Sequence, residues 1–223
     1  VKEGLMSINI PLEMGIEIVT PVNQIYSMIV KAIGFELNAR LRKLIPKLET
    51  LIGEKLEEQI KRHPTTEALQ NGTLRTELGL VNPTQAVSDI ISTVRSSVNV
   101  ISQGFTVGPR SIKGGFKVVA IPKGFSDLLS LPIAQYESEN GFDIPWLQWL
   151  LLEGRSPVVR KYKIQFNRPK SSRTDDAIMR MYGAGEWAVP AAHAGDREKN
   201  FITENLDGLK DEIAGMVQKG LMK

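Results

Sequence analysis

One apolar periodicity, over residues 22–62, constrains the fold of this chain more than any other feature. Leucine and isoleucine recur there at steps of three and four residues, a spacing that places them on one side of an α-helix. The residues in this pattern are Ile25, Ile29, Ile33, Leu37, Leu41, Leu44, Leu48, Leu51, Ile52, Leu56 and Ile60. Pro46 lies inside the pattern, and because proline lacks a backbone donor and clashes with the preceding turn, we expect a kink or a break near residues 43–45. The sequence therefore predicts long N-terminal helices, kinked near Pro46, that end near His63 and Pro64.

The segment before this pattern, residues 1–21, consists of short apolar clusters separated by glycine and proline. This composition predicts an extended N-terminal arm or an edge strand, with residues 16–20 as the best strand candidate. Ile16 and Ile18 are candidate interface anchors within it. Such an arm packs either on a neighbouring subunit or on its own domain, and the sequence leaves both open. Residues 22–223 are predicted to form a single α+β domain, because no linker or repeat divides them.

The hydrophobic period changes in the second half of the chain. Pro83, capped by Asn82, opens a helix to about Ser97, after which apolar and polar residues alternate as they do in half-buried strands. The predicted strands cover residues 98–107, 116–121, 158–167, 177–182 and 186–189. Residues 124–140 are expected to be irregular. Helices and strands in this order predict an α+β fold with an antiparallel β-sheet of about four or five strands.

An amphipathic helix is predicted at the C-terminus, with Asp196 as its cap. Its apolar stripe consists of Ile202, Leu206, Leu209, Ile213, Val217 and Leu221. A shorter helix over residues 146–153 begins after Pro145 and ends at Gly154. Because this short helix is apolar almost all round, Trp146 and Trp149 are either core residues or interface anchors for a partner.

Residue types that carry catalysis or bind metals are scarce. The chain has no cysteine, and its two histidines, His63 and His193, lie far apart in the sequence. His193 precedes Asp196 closely, but a histidine near a helix start is more often structural than catalytic, and no nucleophile motif or phosphate-binding loop accompanies it. We therefore expect no enzyme activity, no metal site and no cofactor.

The least ordinary charge pattern is a stretch without acidic residues, residues 154–174. Its cations are Arg155, Arg160, Lys161, Lys163, Arg168, Lys170 and Arg173. Three interpretations stay open: contact with nucleic-acid phosphates, a match to an acidic face of a partner subunit, or a solvated strand face. The net charge of the chain, +3, is too small to decide for nucleic acid.

Several groups of packing and turn residues occur together in this chain. They are the helix over residues 41–62 with His63-Pro64; Leu69, Gly72, Leu74-Arg75 and Glu77-Leu78-Gly79-Leu80 before Asn82-Pro83; Trp146-Leu147 and Trp149-Leu150-Leu151-Leu152 before Gly154; and Gly185, Trp187, Val189-Pro190, Ala194-Gly195 and Asn200-Phe201-Ile202-Thr203. Over roughly residues 35–215 these motifs resemble virion proteins of tailed bacteriophages, in the neck or tail-completion group at the head–tail junction. That family has no catalytic residues to carry over.

The resemblance implies a ring-forming subunit that stacks between the portal side and the tail, with DNA in the bore. Contacts within such a ring run head to tail between identical subunits. The partners implied are further copies of the chain, neighbouring neck, portal or adaptor and tail proteins, and DNA in the channel. The implied location is the virion, after assembly in the host cytoplasm. No membrane partner is expected, because no apolar run is long enough to span a bilayer. The alternative function is a nucleic-acid-binding module that uses residues 155–173.

Overall fold

Helices pack against small antiparallel sheets in the structure, a computed structural model that describes residues 7–15, 23–108, 111–120, 125–137, 143–167, 172–174 and 176–222. The predicted α+β class, with a long N-terminal helix, antiparallel strands and an amphipathic C-terminus, is confirmed. The strands of the described residues are divided among three sheets, the largest of three strands, rather than joined in one sheet. A continuous core of buried aliphatic and aromatic side chains connects these sheets to the helices.

The first helix, α1 (Asn23–Arg62), is continuous through Pro46, so the expected alternative of a break is wrong. A proline inside a helix costs about 3 kcal/mol or more, whereas burial of one aliphatic side chain contributes about 1.5–3 kcal/mol. The most buried residues of α1 are Val30, Leu37, Leu41, Leu48, Ile52, Leu56 and Ile60. Their combined burial exceeds the cost of the proline, and α1 ends at Arg62 as predicted. A bend of the axis at Pro46 stays a prediction.

Three shorter helices follow α1. They are α2 (Pro64–Gln70), α3 (Thr73–Glu77) and α4 (Pro83–Ser96). Asn71 and Gly72 separate α2 from α3. Asn82 holds the cap position of α4 without a side-chain capping bond, so the start of α4 depends on Pro83, whose φ is preset for a first helical turn. The buried face of α4 packs against α1.

The three-stranded sheet has the order β1-β3-β2, and every pairing in it is antiparallel. Its strands are β1 (Ser7–Gly15), β2 (Asn99–Val107) and β3 (Ser111–Val119). β1 is thus an edge strand on its own domain, while Ile16 and Ile18 lie outside the described residues. β3 begins earlier than predicted and contains Gly114, which was expected in the connection. A side chain at Gly114 would overlap the ring of Phe105 on β2, so glycine is what allows the two strands to pair there.

Part of residues 124–140, which were expected to be irregular, forms short elements. These are α5 (Ser126–Leu129), a 3₁₀ turn (Pro132–Ala134) and β4 (Tyr136–Glu137), which pairs with β5 (Asp143–Ile144). Leu128 and Ala134 are buried, and the Tyr136 hydroxyl donates to the Leu78 carbonyl at 2.6 Å. These long-range contacts order a segment that has no periodicity of its own. α6 (Trp146–Leu152) follows and, as predicted, leads into Gly154, whose φ is 60°.

The remaining strands, β6 (Val159–Phe166) and β7 (Ala177–Trp187), form a two-stranded antiparallel ribbon, called the ribbon below. The predicted strands over residues 177–182 and 186–189 are therefore not paired with each other. Instead, β7 contains all of residues 177–182 and the first residues of the predicted strand 186–189, and both parts pair with β6. The glycines between them permit a bulge instead of a hairpin turn, because their φ values are positive.

The C-terminus forms α7 (Phe201–Gly208) and α8 (Lys210–Met222). The predicted apolar stripe is buried in both helices. The cap of α7 is Asn200 rather than Asp196: Asn200 Oδ1 accepts from the Ile202 and Thr203 amides at 3.1 and 3.2 Å, and Thr203 Oγ1 accepts from the Asn200 amide at 2.8 Å. Asn200 prevails because this reciprocal capping box satisfies donors at both ends of the first turn.

Candidate functional site

Three cations of the predicted basic stretch lie on the same strand. Arg160, Lys161 and Lys163 are exposed side chains of β6. Arg168 and Lys170 lie outside the described residues. Lys161 occupies the bulge of the ribbon with a φ of 67°, so the simple strand alternation predicted across this position is interrupted there.

Arg173 and Arg155, at the two ends of the basic stretch, contact other parts of the fold. Arg173 is held over the ring of Tyr136, with its guanidinium 4.3 Å from the ring centroid, and it donates to the Glu137 carbonyl at 3.0 Å. Arg155 follows α6 and lines a pocket that also contains both histidines. Two of the seven candidate contact residues thus have contacts away from β6: Arg173 with the Tyr136 ring, and Arg155 with the pocket.

A cation that the sequence analysis missed joins those of β6. Arg180 of β7 is the register partner of Lys163, and both side chains are exposed. The aliphatic stem of Lys163 passes beside Gly185, and its ammonium lies 5.1 Å from the centroid of the Tyr182 ring. Arg180 could be found only by knowing the strand register, since it lies outside the acid-free stretch.

The candidate interface anchors of α6 are corrected in part. Trp146 is 1% exposed and its indole Nε1 donates to the Ile133 carbonyl at 2.5 Å, so it is a core residue and not an anchor. Trp149 is partly buried and packs against Trp187, with ring centroids 6.0 Å apart. The core alternative is the one that the structure supports for α6.

An apolar surface that the sequence analysis did not separate from the core lies on the first half of α1. Its exposed side chains, called the exposed stripe below, are Ile25, Met28, Ile29, Ala32 and Phe35. At 100° per residue they fall within about 120° of arc, roughly opposite the buried Val30 and Leu37. Met28 and Phe35 are 71% and 78% exposed. The first half of α1 is therefore apolar on two faces, of which one covers the core and the other faces outward.

A pocket of about 410 Å³ brings the two histidines together. His63 caps α2: its Nδ1 accepts from the Thr65 amide at 3.1 Å, so in the neutral ring the proton is on Nε2, which lies 3.7 Å from Glu204 Oε2. His193 Nδ1 shares a hydrogen bond of 3.1 Å with Thr65 Oγ1. Thr65 is 1% exposed, so the pocket does not offer its hydroxyl to a substrate as a nucleophile.

Electrostatics keep both pocket histidines neutral near pH 7. Burial lowers the pKa of His63, against a smaller opposing effect of Glu204. Burial also lowers the pKa of His193, and the nearby His63 adds to this effect. The predicted neighbour of His193, Asp196, is engaged elsewhere, because its Oδ1 accepts from the Glu198 and Lys199 amides at 2.9 and 2.7 Å. The pocket therefore lacks the acid that would orient a catalytic histidine through this route.

Across the residues that the structure describes, no group of three or more His, Cys, Asp or Glu side chains has an arrangement that could hold a metal ion. No helix in the described part of the chain has both the length and the apolar character needed to cross a membrane.

Comparisons with known proteins add no relative. No protein-family model matches the chain, and searches of curated proteins and of solved structures find no match.

Proposed function

We propose that this protein is a structural subunit of the neck of a tailed bacteriophage, and that it assembles into a ring at the head–tail junction. The observation that carries the proposal is the exposed stripe. Single exposed hydrophobic residues are ordinary on protein surfaces, but a continuous outward stripe on an ordered helix is the usual mark of an interaction surface. A second copy of the chain is the partner that we propose for it.

A second exposed apolar group gives this contact a direction. Phe166 and Met181 on the ribbon are 41% and 67% exposed. They belong to a different element from α1, so a contact between the stripe of one copy and the ribbon of the next would be head to tail. Contacts between two different patches close into rings when the rotation between copies allows it, whereas a self-complementary patch gives a dimer.

The motif resemblance described above supports the same assembly and gives it a place. It implies docking to portal-side and tail-side proteins in the virion, with DNA in the channel. An assembly subunit acts by shape and contact, which agrees with a histidine pocket whose groups cap and brace α2. We propose no catalytic activity for the chain.

The decisive experiment measures assembly directly. Size-exclusion chromatography with light scattering, native mass spectrometry and negative-stain electron microscopy should show closed rings of the wild-type chain, alone or after addition of a neck protein. Met28→Glu with Phe35→Glu should reduce the assembly to monomers. Val81→Glu is the matched control, because Val81 is also 53% exposed but lies outside the stripe.

Two results would count against the proposal. One is a wild-type chain that stays monomeric at high concentration and does not bind neighbouring virion proteins. The other is a ring that tolerates the paired substitutions in the stripe as well as it tolerates Val81→Glu. Circular dichroism melts of the variants should match the wild type, because all three positions are exposed.

A further inference from the structure

The ribbon holds one lysine in a defined position. β6 and β7 fall out of simple register between Arg160 and Tyr162, where residues 182–185 of β7 bulge. A Cβ at Gly185, whose φ is 122°, would lie 3.1 and 3.2 Å from Cε and Cγ of Lys163. Glycine thus leaves the space through which the Lys163 stem runs. The Lys163 ammonium then forms a cation–π contact with the ring of Tyr182, which lies in the same bulge.

The lysine is held beside a second positive charge. Lys163 and Arg180 are direct cross-strand partners, and side chains in that relation have Cβ atoms about 4.5–5.5 Å apart. Like charges directly opposite each other destabilise a strand pair. Within the ranges that the structure describes, neither side chain forms an ion pair with a carboxylate. The nearest pair along the ribbon is Arg160 with Glu186, at 3.9 Å.

We propose that Lys163 and Arg180 contact the phosphate backbone of double-stranded DNA. An unneutralised pair of cations on an exposed surface gains most from a partner with densely spaced negative charges, and duplex DNA carries one charge per about 1.7 Å of axis. A two-stranded ribbon is one of the two elements that the major groove admits. Contacts with phosphates do not depend on the base sequence, and a protein that surrounds passing DNA requires contacts of that type. The inference rests on the proposed function for the source of this DNA, the duplex in the channel.

The small number of phosphate contacts per copy also sets the expected affinity for DNA. Two phosphate contacts bind weakly in a single copy, and a ring of copies around one duplex adds its contacts through high effective concentration. We therefore expect weak, salt-sensitive binding by the isolated chain and much tighter binding by the ring.

The test is the salt dependence of binding to a fluorescent 30-base-pair duplex, measured by anisotropy. Lys163→Glu with Arg180→Glu should lower the affinity at low salt by about tenfold or more, and should reduce the slope of log K against log[salt] by about 2 per chain. The matched control is Lys43→Glu with Lys47→Glu, which makes the same net charge change at exposed positions of α1 and should retain more affinity.

Two further variants separate positioning from charge. Lys163→Arg with Arg180→Lys keeps both charges and should preserve the salt slope. Tyr182→Leu keeps every charge but removes the aromatic ring over which the Lys163 ammonium lies, so it should weaken binding while the chain stays folded by circular dichroism. Equal DNA affinity of the wild type and the Lys163→Glu, Arg180→Glu variant would overturn the proposal, and an acidic protein surface would then be the partner to test.

Failure of this inference is distinguishable from failure of the proposed function. If the chain forms rings whose DNA affinity is unchanged by Lys163→Glu with Arg180→Glu, the inference is wrong and the proposed assembly role still stands. A chain that forms no ring with any neck protein but binds DNA through Lys163 and Arg180 would do the opposite, and would favour the alternative of a nucleic-acid-binding module.

Discussion

His193 Nδ1 lies 3.1 Å from Thr65 Oγ1, although 128 residues separate them in the chain. Through this bond the loop before α7 is tied to the first turn of α2. The same turn is capped by His63, whose Nδ1 accepts from the Thr65 amide. Both histidines thus act as structural acceptors or donors around one buried threonine, and protonating either ring changes which of these bonds can exist.

The pocket predicts a specific pH dependence of stability. Because the folded-state pKa values of His63 and His193 are lowered, the unfolded chain binds protons more readily than the folded chain. Their stabilising contribution is therefore complete above the unfolded pKa, about 6.5. It is lost as the pH falls through the lower folded values. Urea unfolding of the wild type should show a lower midpoint at pH 5 than at pH 7.5.

Carboxyl groups also contribute to the pH dependence of stability, so a variant must isolate the histidines. Burial raises the pKa of Glu77, for example, which stabilises the folded chain as the pH falls. His63→Asn retains a capping side chain, and with His193→Gln it should show a smaller loss between pH 7.5 and pH 5 than the wild type. Equal losses would show that the pocket histidines do not contribute.

The cap of α7 gives a second prediction. Asn200→Ala removes the acceptor of the Ile202 and Thr203 amides and should lower the free energy of unfolding by about 1–2 kcal/mol. Asn200→Asp should lose less, because aspartate caps as well as asparagine. Chemical denaturation of Asn200→Ala and of Asp196→Ala, compared with the wild type, decides which residue caps α7. A larger loss for Asp196→Ala than for Asn200→Ala would return the cap to Asp196.

Two glycines should respond in opposite directions to alanine. Gly114→Ala places a methyl group against the Phe105 ring and should destabilise by about 1–3 kcal/mol. Gly215→Ala lies in α8 with nothing within 4 Å of the new Cβ. It should stabilise by about 0.5–1 kcal/mol, since alanine favours helices more than glycine does. Thermal or urea unfolding of both variants checks the pair, and a neutral Gly114→Ala would contradict the close packing of β2 on β3.

The difference in burial between the apolar residues of α1 gives a fourth prediction. Leu56 is 0% exposed and Leu51 is 45% exposed, although both belong to the same predicted apolar pattern. Leu56→Ala should cost about 2–5 kcal/mol of unfolding free energy. Leu51→Ala should stay within about 0.5 kcal/mol. Equal costs, measured by urea denaturation of the monomeric chain, would show that the burial pattern of α1 is different in solution.

Local pattern was sufficient for several elements. The end of α1 at Arg62, the helix after Asn82 and the buried stripe over α7 and α8 all follow from spacing and helix-terminus chemistry. These features depend on neighbours within one or two turns, and a sequence displays such neighbours directly. The α+β class follows in the same way from the order of helical and strand periods.

The candidate surfaces depend on contacts that local pattern does not contain. Periodicity shows that α1 is apolar but not which of its two apolar faces covers the core, because that depends on where β2, α4 and α8 pack. The pairing of Lys163 with Arg180 requires the register of β6 on β7, which the bulge shifts.

The sequence by itself determined the longer helices, the end of α1 at Arg62 and the scarcity of catalytic residue types, because each depends on residue identity and short-range spacing. Only the tertiary structure decided that His63 and His193 share a pocket and that Trp146 is core. It also decided that Lys163 faces Arg180. Such relationships join positions far apart in the chain, and their geometry comes from the packing of whole elements rather than from any local preference.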